Sequence, residues 1–147
     1  MDQILKTTIP LKIRFSEVDS LKIVWHGSYS LYFEDAREAF GKQYGLGYKL
    51  IYDSGFYAPL VELSFQFKRP LIYGMTPTIT ITYKPTAAAK IVFDYEITDT
   101  QTGEIVATGR SVQVFLDRDY QLIWTSPDFY TQWKNKWKVN TTELKTP

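Results

Sequence analysis

The sequence has no cysteine, and only one of its 147 residues is histidine. Without cysteine there is no disulfide, no thiolate nucleophile, no iron–sulfur cluster and no cysteine-ligated zinc. One imidazole excludes any site that needs two, so no metal is expected. An excess of charge is also missing, since 17 Lys plus Arg face 16 Asp plus Glu, for a net charge of +1. That balance leaves no electrostatic footprint for nucleic acid. No run approaches the ~20 apolar residues of a membrane helix, so membrane insertion is not expected. Residues 1–10 include Asp2 and Lys6 and lack the apolar stretch of a signal peptide, which makes a cytoplasmic location the expectation. The Asn140-Thr141-Thr142 triplet accordingly reads as a chance glycosylation signal.

Aromatic residues are plentiful: 11 Tyr, 9 Phe and 4 Trp make up 16% of the chain and imply a large apolar interior or interface. A chain of this length suits one domain that buries about 68–70% of its unfolded surface. The expected domain spans residues 1–147, with a core at about 6–118 and a C-terminal extension at 119–147.

Ile9, Leu11, Ile13 and Phe15 alternate with Lys12 and Arg14, the pattern of a half-buried strand. From about Gly27 the period changes. Tyr29, Tyr32, Phe33, Ala36, Phe40 and Tyr44 form one helical stripe, which predicts a long helix from about Gly27 to Tyr44. Glu38 precedes Lys42 by four residues, a favourable order, and Gly45 and Gly47 are suited to end the helix.

Alternation resumes with Val61, Leu63, Phe65 and Phe67, with Ile79, Ile81 and Tyr83, and with Ile91, Phe93, Tyr95 and Ile97. A turn at Asp99 to Gly103 leads into a strand from Ile105 to Leu116, and Pro127 could begin a short helix carrying Phe129, Trp133 and Trp137. Short connections favour antiparallel pairing. The expectation is an α+β domain: one long helix on a five-stranded antiparallel sheet, with the sheet's other face needing cover or a partner.

The segment with most chemical content is Phe15-Ser-Glu-Val-Asp-Ser-Leu-Lys-Ile-Val-Trp-His-Gly-Ser-Tyr29. It sets Asp19 beyond a strand end and delivers the chain into a helix start at His26 and Gly27, where free N–H groups and the positive dipole end gather. Two readings are open on spacing alone. Asp19 caps a turn, or it faces the helix start as the carboxylate of an acyl-transfer site whose N–H groups polarise a carbonyl. Gly45-Leu46-Gly47 lacks the preceding strand of a phosphate loop, no Gly-x-Ser-x-Gly occurs, and Asp117-Arg118-Asp119 reads as a turn. Lys68, Arg69, Lys84, Lys90, Arg110 and Arg118 are candidate phosphate ligands by charge alone.

Glu17-Val18-Asp19, Ile23-Val24-Trp25-His26, Tyr29 and the acidic Glu34 resemble the 4-hydroxybenzoyl-CoA thioesterase-like branch of the hot-dog fold acyl-CoA thioesterases. The resemblance runs from about Lys6 to Leu116 in element order, and its specific part is this one loop. It implies hydrolysis of acyl-CoA or related pantetheine thioesters without a cofactor, in a homodimer or homotetramer with the site between protomers. An acyl-carrier-protein thioesterase, or a non-catalytic module for acyl thioesters or small hydrophobic ligands, is the alternative. Asp19 matches the family's catalytic carboxylate, as general base or nucleophile. His26 matches the residue whose backbone N–H faces the carbonyl, and its ring could also steady water or the carboxylate. Gly27, Trp25, Tyr29 and Lys22 are the implied substrate-binding positions. Lys22 departs from the glycine usual in the family.

Overall fold

The computed structural model describes residues 3–140, so Thr141 and Thr142 of the glycosylation-type triplet lie outside the described residues. The elements run β1 (Lys6–Pro10), α1 (Tyr29–Tyr44), α2 (Tyr48–Asp53), β2 (Leu60–Phe67), β3 (Pro77–Lys84), β4 (Lys90–Asp99), β5 (Ile105–Leu116), β6 (Leu122–Ile123) and α3 (Asp128–Trp137). All strand pairs are antiparallel, in the order β1-β3-β4-β5-β2, with β6 added beside β5. None of these helices is long and apolar enough to cross a membrane.

The helical stripe is the core-facing side of α1, with Tyr29, Tyr32, Phe33, Ala36 and Phe40 all buried. Phe33 stacks on Tyr95 of β4 with centroids 4.0 Å apart. Gly109 of β5 permits that approach, since a Cβ there would lie 2.3 Å from the Phe33 ring and 2.4 Å from the Ser64 carbonyl oxygen. Gly45 closes α1 in the left-handed region at φ 71°, and its N–H donates to the Gly41 carbonyl.

The helix itself begins at Tyr29, two residues after the expected start. His26–Ser28 form a 3-10 turn that leads into α1 at Tyr29. The first strand differs more. Leu11 and Ile13 are buried as their alternation requires, but pairing ends at Pro10 because the partner strand β3 begins at Pro77. The last bond of that ladder runs from the Leu11 N–H to the Pro77 carbonyl at 2.9 Å. Phe15 lies past it, exposed, in a 3-10 turn.

The sheet face turned away from α1 is polar. It carries the row Thr82, Asp94, Arg110 and Ser64 in register, and Arg110 holds Asp94 with two bonds of 2.6 and 3.0 Å. An antiparallel sheet can carry such a polar face toward solvent.

Pro127 precedes α3, whose Tyr130 is fully buried beneath Tyr83 and whose Trp133 and Trp137 both donate Nε1–H to the Tyr44 carbonyl, at 2.7 and 2.9 Å. Two indoles thus satisfy a carbonyl that the end of α1 would leave unpaired. Burial pushes the Tyr83 hydroxyl up to about 12, and the Tyr130 hydroxyl well above the ordinary tyrosine value.

Candidate active site

The loop before α1 folds on itself. Val18 and Val24 pair as an antiparallel bridge, and Ile23 pairs with Ile72, so Asp19 to Lys22 form the turn between them. Asp19 donates its N–H to the Ile23 carbonyl, and its carbonyl accepts from Lys22, both at 2.9 Å. Its carboxylate Oδ1 accepts from the N–H groups of Leu21 at 2.8 Å and Ile23 at 3.2 Å. Oδ2 has no protein donor among the described residues. The turn cap and the free carboxylate are therefore both present, one on each oxygen.

Glu17 behaves differently. Its Oε1 accepts from the Arg14 N–H and from the buried Tyr32 hydroxyl, each at 2.8 Å, which turns it toward α1. Burial, then the Glu17 hydrogen bond and charge, push the Tyr32 hydroxyl far up.

Asp19 lines an open cavity of ≈ 420 Å³ together with Trp25, His26, Tyr29 and, from the end of β2 and just past it, Phe67 and Lys68. The N–H groups of His26 and Gly27 have no acceptor among the described residues, as the first donors of a helical turn. The exposed Trp25 indole leans over Gly27 so closely that a Cβ there would lie 2.0 Å from ring carbon Cζ3. The His26 ring sits 5.0 Å from that indole and makes no hydrogen bond to Asp19 among the described residues. Tyr29 is at once cavity wall and core: it is buried, and its ring packs edge-on against Phe67 at 4.9 Å. Burial raises its hydroxyl pKa, and a hydrogen bond with the Leu71 backbone opposes that rise.

Lys22 holds a left-handed conformation at φ 66°, which is the geometric reason a glycine suits this position. Its side chain is exposed and does not line the cavity. Of the candidate cations, Lys68 and Arg69 reach the cavity, with Arg69 paired to Glu104 at 2.8 Å. Arg110 is committed to Asp94 on the far sheet face, and Arg118 lies over the Tyr52 ring at 4.0 Å. Lys68 and Arg69 were candidates by charge, whereas Phe67 and Pro70 were not foreseen as cavity wall. This wall joins the site only through tertiary contact, and Pro70 signalled no more than a strand end. Among the described residues no three His, Cys, Asp or Glu side chains gather as a metal site.

A long helix laid over an antiparallel sheet of order β1-β3-β4-β5-β2, with an acidic turn ahead of the helix, defines a hot-dog fold of the thioesterase type. The chain belongs to the thioesterase-like superfamily, whose sequence pattern it matches over residues 13–134. It is 27% identical over 128 residues to YneP of Bacillus subtilis (strain 168), an acyl-CoA thioesterase by name, covering 84% of this chain and 92% of that one. The fold superposes on the DHNA-CoA thioesterase from Staphylococcus aureus with a TM-score of 0.78, at 22% identity over 90% of this chain and 91% of that one. A 12:0-ACP thioesterase from Umbellularia californica gives a TM-score of 0.81 at 18% identity, covering 90% of this chain and 54% of that one.

Proposed function

We propose that this protein hydrolyses acyl-CoA thioesters, with Asp19 as the catalytic carboxylate and the start of α1 as the carbonyl polariser. The observation that carries the reading is the division of labour at Asp19: Oδ1 is fixed by two N–H groups, Oδ2 has no protein donor among the described residues, and the residue lines a cavity shared with His26. A thioester carbonyl directed at the His26 and Gly27 N–H groups gains polarisation as its oxygen acquires charge. Oδ2 then removes a proton from water as the water oxygen bonds to the carbonyl carbon, or attacks that carbon directly and leaves water to cleave the mixed anhydride. On either route the C–S bond breaks, the sulfur leaves as the coenzyme A thiol once protonated, and the acyl group leaves as a carboxylic acid. Lys68 and Arg69 lie where a phosphate of the carrier would meet positive charge.

The reading includes a homodimer, the unit from which a tetramer would be built. β2 is a sheet edge, and Leu60, Val61 and Phe67 on it are exposed, an edge that invites pairing. A second copy related by a two-fold axis pairs with it antiparallel, so the Leu60 end of each copy meets the Phe67 end of the other. The Asp19 cavity of one protomer then borders the Leu60 end of its partner.

Thiol release measured over a series of acyl-CoA chain lengths, alongside sedimentation of the same sample, tests the reading. Release above background from a dimeric or tetrameric species is expected. Tight thioester binding with no thiol release would instead make the protein a binding module.

A further inference from the structure

A larger groove of ≈ 710 Å³ opens between α1, α2 and the helix-facing side of β4 and β5, and it reaches Leu60 at the start of β2. Ile51, Phe56, Ile91 and Phe93 give it an apolar lining. Arg37 enters it from the flank of α1. Its Nη1–H donates to the Tyr95 hydroxyl at 3.0 Å, and that hydroxyl lies 2.6 Å from Ser111 Oγ. Tyr95 and Ser111 are both buried, so the guanidinium is anchored to a fixed point in the core.

A guanidinium has five N–H donors, and the core uses one of them. The ion pairs among the described residues join Lys49 to Asp53, Arg69 to Glu104 and Arg110 to Asp94, and none involves Arg37. A half-buried cation with spare donors in an apolar groove favours a ligand that brings an acceptor. The wall also carries Glu34, Asp35 and Glu38 against Arg37 and Lys42, with Lys49 already paired to Asp53, so carboxylates outnumber the remaining cations. That excess favours a neutral acceptor over an anion, which the acidic side would repel.

We propose that the groove receives the far end of the acyl group and that Arg37 selects acyl groups bearing a neutral oxygen acceptor, an oxo or hydroxyl group, over plain alkyl chains. The proposal rests on the thioesterase reading and on the antiparallel β2 pairing, which sets the groove of one copy beside the Asp19 cavity of the other. Arg37 is a specificity-determining residue in this account, with Tyr95 and Ser111 positioning it.

The test is kcat/KM for matched pairs of alkyl-CoA and oxo-acyl-CoA thioesters of increasing length, on the parent protein, Arg37→Met and Arg37→Lys. Direct titration of the same pairs onto each protein accompanies it. At one chain length the parent should favour the oxo member by about tenfold or more, as befits a charged hydrogen bond. Arg37→Met should bring that ratio near one, and Arg37→Lys should restore part of it. An equal loss on both members in Arg37→Met would make Arg37 merely structural. Preference for a dicarboxylic mono-thioester of the same length would overturn the neutral-acceptor assignment. Absent thiol release from every pair would fail the thioesterase reading instead, and the titrations would still report whether the oxo preference exists.

Discussion

The hydroxyl of Tyr32 donates to Glu17 Oε1 at 2.8 Å, and this bond separates the roles of two carboxylates only two residues apart. Glu17 is drawn under α1 while Asp19 is left on the cavity wall. Successive odd positions of an extended segment would share one side, but the 3-10 turn at Phe15–Glu17 breaks that alternation. The loop thus offers one carboxylate to the fold and one to the open cavity.

The left-handed Lys22 is a point of strain with a measurable release. A side chain in this region costs about 1–2 kcal/mol, offset by about 0.5–1 kcal/mol of extra chain entropy in glycine. Lys22→Gly should therefore raise the urea midpoint by the equivalent of roughly 0.5–1 kcal/mol at an unchanged slope. A lower midpoint would show that Lys22 contributes something its backbone angle does not reveal.

Gly27 and Trp25 should behave as a coupled pair. Gly27→Ala places a methyl where the indole now lies and must displace it, while Trp25→Ala removes the obstacle. Kinetics of the two single variants and the double variant should give a coupling of about 0.5–3 kcal/mol in transition-state stabilisation. Additive losses would mean the contact has no part in turnover.

Asp35 lies between Glu34 and Glu38 on α1, and burial first, then Glu38 and Glu34, raise its pKa above the ordinary 3.8. A raised carboxyl binds its proton more tightly in the folded state, so its contribution to stability is present below the unfolded value and lost as pH rises through the folded one. Asp35→Asn should accordingly raise the melting midpoint at pH 7 and bring no gain well below about pH 4. The same gain at both pH values would assign the effect to something other than ionisation.

Much of the fold was legible because it is periodic. The α1 stripe and the alternation in β3, β4 and β5 each span enough residues for one buried side to stand out. α2 has six residues and β6 has two, too few for a period, and both are held by their surroundings. Val61 and Phe67 alternate correctly yet are exposed, since alternation reports a strand and not whether a neighbour lies beside it. At the site, spacing alone left Asp19 between turn cap and free carboxylate, and the structure shows why: its two oxygens do different things. Arg37 lies off the apolar stripe of α1, and no local pattern points to its partner Tyr95, 58 residues away in sequence.

The most direct measurement compares turnover and thioester binding in one Asp19→Asn preparation. The amide keeps an oxygen for the Leu21 and Ile23 N–H groups, so the turn should hold, and the helix-start donors remain for the carbonyl. Loss of general-base action alone predicts a fall in kcat of ~10²–10⁴-fold, with the dissociation constant for the thioester changed only a few-fold or less. A variant that keeps nearly full turnover would contradict the assignment of Asp19, and with it the site.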